Sequence, residues 1–418
     1  MPSTRAPGLD TVAQAATLLF VNGQTTERIV LAAQRLGRAL GVSVTLHPRW
    51  GELELRLDGT PHSAIVPATP LGVDMAKVHA VMRIVDQVCD GALPGAAAPA
   101  ALASVERLRP VSTLRFALLA AIGAAALGVI YGAFDAASLL LIALSGGVGA
   151  LLRRWLATLG GNPYIQPLCA AAAAGLIGAI ATRLPLPATQ SLIALCPCMI
   201  LIPGPHILDG AFDLARTRVA LGIARLTYAG LIVLMICAGL LAGLAAGGAT
   251  LPAAASSVPV PLVADVIAAG CAAAAFGTFF SISWRLLALP IAIGMLAHAA
   301  RWALVSLAGA HVAVGALAAC VLVAVVVTPV ADRLRLPFAT LAFCAVVSMM
   351  PGFYLFRASS ALVELVAERA PVDLVQDIFA NGTTAFLIIL AMSFGLIVPR
   401  MLFEHLLPPP APHRPSTR

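Results

Sequence analysis

The chain has 418 residues, of which 60% are hydrophobic and 11% are charged, and its mean hydropathy is +0.96. Soluble globular domains carry about 25% charged residues, so this composition excludes an ordinary soluble enzyme and predicts an integral membrane protein. The formal net charge is +7, but the arginines are scattered at the ends of apolar segments, which argues against a nucleic-acid partner.

The first 110 residues are predicted to form a small cytosolic α/β domain. The stretch ELELRL alternates apolar and polar side chains, which is typical of a half-buried strand. Thr25, Thr26 and Glu27 are polar residues of the kind that begin a helix. Helices are predicted at residues 11–21, 25–40, 74–90 and 97–107, and strands at residues 42–47, 52–57 and 63–66.

Beyond residue 110 the chain consists of nearly uncharged runs, and about 20 apolar residues are enough to cross a bilayer as a helix. Small residues dominate the runs, which favours packed helices over a β-barrel. We expect a polytopic all-α membrane protein of ten transmembrane helices, with five in residues 111–250 and five in residues 263–402. A linker at residues 251–262 joins the two sets, and a disordered tail is expected at residues 403–418. The runs are residues 116–134, 136–152, 164–182, 184–208, 226–247, 266–284, 286–304, 311–331, 336–356 and 378–399.

The distribution of arginine predicts the orientation. No short apolar run with a cleavage site follows the polar N-terminus, so the first domain is expected to stay in the cytosol. With ten spans, most arginines at segment ends then fall on the cytosolic side, in agreement with the positive-inside rule. Both termini are therefore expected to be cytoplasmic.

The two sets of five spans resemble each other. Three landmarks recur in the same order at spacings of 147 to 150 residues. Because five is an odd number, the second set enters the membrane from the opposite face, which predicts a 5+5 inverted repeat. The landmark pairs are RRW at 153–155 with ARW at 300–302, ATRLPLP at 181–187 with ADRLRLP at 331–337, and Pro203-Gly204 with Pro351-Gly352.

The fourth and ninth spans are interrupted at Pro203-Gly204 and Pro351-Gly352. Proline removes a backbone donor, and in lipid the freed groups need protein or trapped water as partners. The half-helix after each break offers unpaired N–H groups and the positive end of a helix dipole, which favours an anionic group. We therefore expect these four residues to line the substrate site, as interrupted helices do in transporters with inverted repeats.

Three charged residues follow the breaks. Asp209 and Asp213 share a helix face, and Arg357 occupies the position in the second set that Asp209 occupies in the first. A charge near the membrane centre costs roughly 3 kcal/mol on insertion scales, which argues for a function or a partner. If the broken spans meet, Arg357 can bind a substrate carboxylate and Asp209 or Asp213 its ammonium group. Either aspartate can also carry the proton that drives transport.

Local roles are the alternative for the same residues. Asp213 can form a solvated ion pair with Arg216 or Arg218, and Asp209 can cap a helix or pair nearby. Arg357 can extend to the far membrane interface.

The stretch PGPHILDGAFDLARTRVALGIARL at residues 203–226 resembles the threonine/serine exporter family. Residues 18–42, LLFVNGQTTERIVLAAQRLGRALGV, are similar to the start of that family's cytosolic domain, and residues 349–365, MMPGFYLFRASSALVEL, resemble its second conserved unit. The resemblance covers nearly the whole chain. It implies a ten-span inner-membrane exporter that moves threonine and serine outward by antiport with protons. Some relatives carry the two units on separate chains and are associated with dicarboxylate export.

The residues leave several functions open. A dicarboxylate exporter would bind carboxylates at Arg357 and at both half-helices, a passive channel would ignore a proton gradient, and an intramembrane hydrolase would use paired aspartates. The chain has no G-x-x-x-x-G-K-[ST] motif, which disfavours an ATP-driven pump. We expect no catalytic residue, metal or cofactor. The expected partners are a small-molecule substrate, protons and the lipid bilayer, and a homo-oligomer stays open. The isolated His206, His298 and His311 are expected to serve packing or to lie at the membrane interface.

Overall fold

A computed structural model describes residues 7–160, 162–186, 190–251, 259–333, 338–367 and 372–406. Parts of several sequence features fall outside these residues. They are most of the linker at 251–262, the last residue of the ATRLPLP landmark at 181–187, the end of the ADRLRLP landmark at 331–337, and the tail beyond residue 406.

The N-terminal unit, residues 7–106, packs helices on a three-stranded antiparallel sheet of order β1-β2-β3. Leu53 and Leu55 of β2 are fully buried, as the alternating pattern predicts. The predicted helices and strands of this unit are all present, with shifts of a few residues at their ends. The elements are α1 (Pro7–Val21), α2 (Thr26–Ala39), β1 (Val44–Arg49), β2 (Gly51–Leu57), β3 (Ser63–Ala68), α3 (Met75–Cys89) and α4 (Ala98–Glu106).

The rest of the described chain is helical. By length and composition, seven helices within the described residues can cross a membrane, or nine if each bent pair counts as one span. The remaining predicted span corresponds to α7, which is apolar but has 17 residues. The helices are α5 (Thr113–Ile130), α6 (Ala136–Leu159), α7 (Ile165–Ala181), α8 (Gln190–Met199), α9 (Gly204–Ala215), α10 (Val219–Ala246), α11 (Leu262–Phe279), α12 (Trp284–Trp302), α13 (Val312–Arg333), α14 (Phe338–Val346), α15 (Gly352–Ala367) and α16 (Val372–Leu406).

Two helix pairs bend where the Pro-Gly dipeptides stand. The axes of α8 and α9 meet at 56°, and those on the two sides of Pro351-Gly352 meet at 47°. A 3₁₀ turn at Val347–Met349 joins α14 to the second break. Both α9 and α15 begin at the glycine of the dipeptide, because the proline ends the hydrogen-bond ladder of the preceding helix.

The membrane helices pack through recurring partners. The helix α7 lies along α10, and α13 lies along α16. The helix α5 packs on α6, α11 packs on α12, and α5 and α11 lie against each other. The α7–α10 contact is very close: a Cβ atom added to Gly239 would lie 2.2 Å from the carbonyl oxygen of Leu168, and one added to Gly243 would lie 2.1 Å from that of Ala172. Glycine is required here because only an absent side chain allows the backbones to approach this closely.

We expect Gly239→Ala to destabilise the protein by about 1–3 kcal/mol, because the added methyl group overlaps a backbone oxygen. Gly230→Ala is the matched control, since it lies on the same helix and an added Cβ atom there has nothing within 4 Å. Thermal unfolding of the detergent-purified variants measures the difference. Equal melting temperatures for the two variants would contradict the close packing of α7 on α10.

Candidate functional site

The two broken helices meet at their breaks. A Cβ atom on Gly204 would lie 2.1 Å from Phe343 and 2.8 Å from Met350, and one on Gly352 would lie 2.5 Å from Ile202. Each glycine is therefore in contact with a side chain that stands just before the other break. Both glycines are buried, so the irregular backbone is enclosed by protein, as the bilayer requires.

Apolar side chains fill the contact between the breaks in this conformation. Met199, Ile202, Phe343 and Met350 are all buried. The four Pro-Gly residues were expected to line a substrate site, and the described residues show close apolar packing at this point instead. The buried carboxylates lie farther along α9.

Asp209 and Asp213 share one face of α9 and both contact Arg225 of α10. Nη1 of Arg225 donates a hydrogen bond to Oδ2 of Asp209 at 3.2 Å. Nε of Arg225 forms an ion pair with Oδ2 of Asp213 at 3.1 Å. All three side chains are buried, and the guanidinium is 0% exposed. Nη1 of Arg218, a partly exposed side chain, lies 3.7 Å from Oδ1 of Asp213, so the ion pair expected between these two residues is also present. Two arginines therefore balance the two buried carboxylates, and the desolvation cost of the buried groups is offset only while these ion pairs persist.

A reciprocal glycine contact brings α9 and α10 close enough for these ion pairs. A Cβ atom on Gly210 would lie 3.1 Å from the carbonyl oxygen of Gly222, and one on Gly222 would lie 2.9 Å from that of Gly210. The two helices can approach in this way because neither residue carries a side chain. Arg225 therefore reaches both aspartates from the neighbouring helix.

The N-terminal unit covers this cluster. Oγ1 of Thr26, the first residue of α2, donates a buried hydrogen bond to Oδ2 of Asp213 at 3.0 Å. The carboxylate of Glu27 lies 2.6 Å from Nη1 of Arg216 and 2.9 Å from Nη2 of Arg218. Partial burial acts to raise the pKa of Glu27, but the hydrogen bond from Arg218 and the charges of both arginines hold it below its ordinary value. This contact is therefore complete at neutral pH and is lost only as the pH falls through the lowered pKa.

Further contacts fix the unit on the membrane helices. Arg28 forms an ion pair with Asp332 at the end of α13. The backbone N–H of Met75 donates a hydrogen bond to the carbonyl of Phe280 at 2.9 Å. The guanidinium of Arg225 lies 5.4 Å from the ring centre of Phe20, a residue of α1. Residues of the N-terminal unit thus form one wall of the site.

Arg357 lies apart from the aspartates, on α15. It is half-buried, its guanidinium lies 5.7 Å from the ring centre of Phe353, and it interacts electrostatically with Asp377 and Glu364. Within the described residues, the ion pair of Asp209 is made with Arg225. The structure therefore brings Asp209 and Asp213 together, and it associates Arg357 with acids that follow it in the chain.

Arg225 is the residue that the sequence interpretation missed. The fifth span was expected to begin at residue 226, which left Arg225 just outside the span and without an assigned role. In the structure α10 begins at Val219, so Arg225 lies well inside the helix. Two buried carboxylates require a cation, and that requirement was the signal that could have identified it.

Several buried polar atoms near the site have no hydrogen-bond partner among the described residues. They include Nη2 of Arg225 and Nδ1 of His206, and these two side chains interact electrostatically with each other. Nε and Nη1 of Arg153 and Oγ of Ser145 are also unpaired, and both residues line one narrow cavity between α6 and α8. Unpaired buried groups are costly, and a small polar molecule could satisfy them. The described part of the chain contains no group of three His, Cys, Asp or Glu side chains able to hold a metal.

Two family models match the chain. The model described as "Putative threonine/serine exporter" matches residues 10–247, and the model described as "Threonine/Serine exporter, ThrE" matches residues 265–402. The first match covers most of the N-terminal unit together with α5 to α10, and the second covers α11 to most of α16. Comparisons with curated proteins and with solved structures found no match.

We expect Arg225→Gln to destabilise the protein by about 3–5 kcal/mol, because it leaves the buried carboxylate of Asp209 without its cation and that of Asp213 with only the more distant Arg218. Adding Asp209→Asn should recover much of the loss, since it removes one of the uncompensated charges. Arg285→Gln, which changes an exposed arginine, serves as the control. Thermal unfolding in detergent measures all three. If the second substitution adds its own destabilisation instead, the two residues do not act as a pair.

Proposed function

Because the chain belongs to the threonine/serine exporter family, we propose that it is a proton-coupled secondary transporter that exports threonine and serine from the cytoplasm. Family membership supports a multi-pass membrane protein that exports small molecules and is not an enzyme. The observation that carries the proposal beyond the family is the buried cluster of Asp209, Arg225 and Asp213.

We propose an architecture of ten spans arranged as an inverted repeat, with the linker at residues 251–262 between the two sets. The recurring helix partners support it, since α7–α10 corresponds to α13–α16 and α5–α6 corresponds to α11–α12. The contacts at the breaks support it further. Gly204 meets Met350 and Gly352 meets Ile202, and in each pair of equivalent residues the spacing is 148. A pseudo-twofold axis between the breaks accounts for both observations.

The proposed orientation places residues 1–110 and the C-terminus in the cytoplasm, with the protein in the inner membrane. The N-terminal unit docks at the ends of α9 and α13, where Arg216, Arg218 and Arg333 cluster. A cytosolic side rich in arginine agrees with the positive-inside rule. In this orientation the unit lies over the inner entrance, and we propose that it is a regulatory or assembly module.

The proposed substrate site lies along the half-helices that begin at Pro203-Gly204 and Pro351-Gly352. The N-terminal ends of α9 and α15 offer positive dipole ends to a carboxylate, and Arg357 stands one turn or more into α15. Asp209 offers a negative charge to an ammonium group. The apolar contact between the breaks represents a closed conformation, and a substrate would enter when the two helices part.

Proton coupling is proposed at Asp209 and Asp213. The two buried carboxylates share the guanidinium of Arg225, and Asp213 also pairs with the more distant Arg218. Close like charges favour binding of a proton by one of the two carboxylates. Proton uptake by either aspartate would weaken its ion pair with Arg225 and let α9 move relative to α10. Both carboxylates bind the same cation, and this arrangement differs from the facing carboxylate pair of an aspartic hydrolase.

A dicarboxylate exporter of the same architecture is the second candidate. The two half-helix N-termini and Arg357 favour it, because together they could bind two substrate carboxylates. Purified protein in liposomes loaded with radiolabelled threonine or succinate separates the two. Threonine efflux that follows an imposed proton gradient and stops when an ionophore collapses it supports the proposal. Faster succinate efflux selects the alternative, and efflux that ignores the gradient indicates a channel.

Asp213→Asn should abolish proton-driven threonine export while the protein stays inserted and folded, because the amide keeps the shape and removes the titratable group. Asp373→Asn, at an exposed position on α16, is the control and should export normally. Efflux from liposomes under a proton gradient measures both. Normal export by the Asp213 variant would remove this residue from the coupling mechanism.

Arg357→Gln should raise the threonine concentration for half-maximal flux by about tenfold, which corresponds to loss of about 1.4 kcal/mol of carboxylate binding. Arg333→Gln, at an exposed position at the end of α13, should leave that concentration unchanged. Initial rates measured over a range of threonine concentrations give both values. An unchanged value for the Arg357 variant would count against carboxylate binding at this residue.

A further inference from the structure

A second buried polar cluster lies in the helices α11 and α12, away from Asp209 and Asp213. Asp265 of α11, His298 of α12 and Ser348 of the 3₁₀ turn are 2%, 0% and 3% exposed. Oδ2 of Asp265 lies 2.9 Å from Nδ1 of His298, and Oγ of Ser348 lies 2.7 Å from Nε2. Both ring nitrogens therefore have partners, and a carboxylate faces one of them directly.

This cluster lies far from the N-terminal unit. The short segment between α11 and α12 contacts that unit, because the carbonyl of Phe280 accepts the hydrogen bond from Met75. Asp265 and His298 each stand 14 residues from the helix end next to that segment, Phe279 and Trp284 respectively. At 1.5 Å per residue the pair lies about 21 Å deeper, beyond the middle of a hydrocarbon core about 30 Å thick.

We propose that His298 and Asp265 form a proton-binding site near the membrane face opposite the N-terminal unit. Through its hydrogen bond, Ser348 makes the second break respond to whether a proton is bound at this site. This proposal adds a second proton site to the proposed transporter, and the role of that site in coupling rests on the proposed function. Proton binding by the pair does not depend on which substrate the protein carries.

The hydrogen bonds define the chemical step. In the neutral state Nδ1–H of His298 donates to the carboxylate of Asp265, and Nε2 accepts the hydroxyl proton of Ser348. A proton arriving from water on that face binds Nε2, and the new N–H then donates to Oγ of Ser348. The hydroxyl group of Ser348 must then rotate and donate its hydrogen bond to another acceptor. The imidazolium and the carboxylate form an ion pair whose net charge is zero.

Ser348 connects this step to the broken helix. It lies in the 3₁₀ turn Val347–Met349, directly before Pro351-Gly352. A change in the hydrogen bonding of this turn therefore acts at the break that meets α8 and α9. The aspartates that follow the first break lie on the side of the N-terminal unit. Each break would therefore respond to protons from a different face of the membrane.

The surroundings contain few other titratable groups. Arg301, one turn farther along α12, interacts electrostatically with His298, and it also interacts with Tyr131 and Tyr354. On the described parts of α13 and α14, which pack against α12, the buried titratable groups are the thiols of two residues, Cys320 and Cys344. Asp265 is thus the acid that faces the imidazole.

Packing alone does not account for the cluster. The positions 148 residues earlier carry Ala117, Ala150 and Ile200, which are all apolar. They lie on α5 and α6 and directly after α8, so the equivalent helices of the first set pack without a polar trio. A buried acid and imidazole within the membrane are costly and indicate a function.

Proton uptake by the full-length protein in detergent tests the site directly, with an indicator dye and acidification from about pH 8 to about pH 5, the range in which histidine titrates. We expect His298→Gln to bind about one proton fewer per chain than the wild type. Asp265→Asn should lose the same proton although it retains His298, because the carboxylate stabilises the imidazolium. His311→Gln, which removes an exposed histidine outside the cluster, is the comparison variant.

Equal proton uptake by the wild type and His298→Gln would overturn the proposal and leave the histidine as a packed, neutral side chain. Transport by the same proteins tests the coupling. Ser348→Ala should keep the proton uptake, lose proton-driven export and retain threonine exchange without a gradient. Normal proton-driven export by this variant would refute the link through Ser348. If the wild type transports neither threonine nor succinate, the proposed function fails, and the uptake measurement still decides whether the site binds a proton.

Discussion

The interaction on which the site depends is the binding of both Asp209 and Asp213 by the buried guanidinium of Arg225, with Arg218 as a second cation 3.7 Å from Asp213. All three groups are buried among apolar helices, where an unpaired charge is very costly. The ion pairs therefore fix the position of α9 against α10, and the Gly210–Gly222 contact exists to let the helices come close enough to form them. A buried carboxylate in such a cluster is stabilised either by an ion pair with an arginine or by binding a proton. In the proposed mechanism these two alternatives link the protonation state of the site to the position of a helix.

The N-terminal unit and the broken helices extend this link in two directions. Thr26 binds the same carboxylate oxygen of Asp213 that faces Arg225, so the unit senses the state of the cluster directly. At its other end α9 begins at a break that packs against the second broken helix through Phe343 and Met350. A movement of α9 therefore reaches both the N-terminal unit and the contact between the two breaks. This continuity gives a physical route by which proton binding, docking of the unit and parting of the breaks can occur together.

Much of the fold could be read from the sequence because its signals are local. The alternation in β2, the apolar runs and the two Pro-Gly breaks each report a backbone preference that the neighbours do not override. It was harder to predict which charged side chains pair with each other, since that depends on how the helices pack. The interpretation placed Asp209 opposite Arg357 from their equivalent positions, whereas the described contacts pair Asp209 with Arg225. His298 was interpreted as a packing or interfacial residue because its partners, Asp265 and Ser348, lie 33 and 50 residues away. Only the three-dimensional arrangement of helices brings such residues together.

The central claim is that a buried carboxylate of the cluster changes its protonation when substrate binds. Infrared difference spectroscopy of the purified protein, with and without threonine, measures this most directly through the stretching band of protonated carboxyl groups. The account predicts a change in that band on threonine addition that disappears when both Asp209 and Asp213 are replaced by asparagine. A difference spectrum with no carboxyl signal in the wild type, under conditions in which threonine is shown to bind, would contradict it.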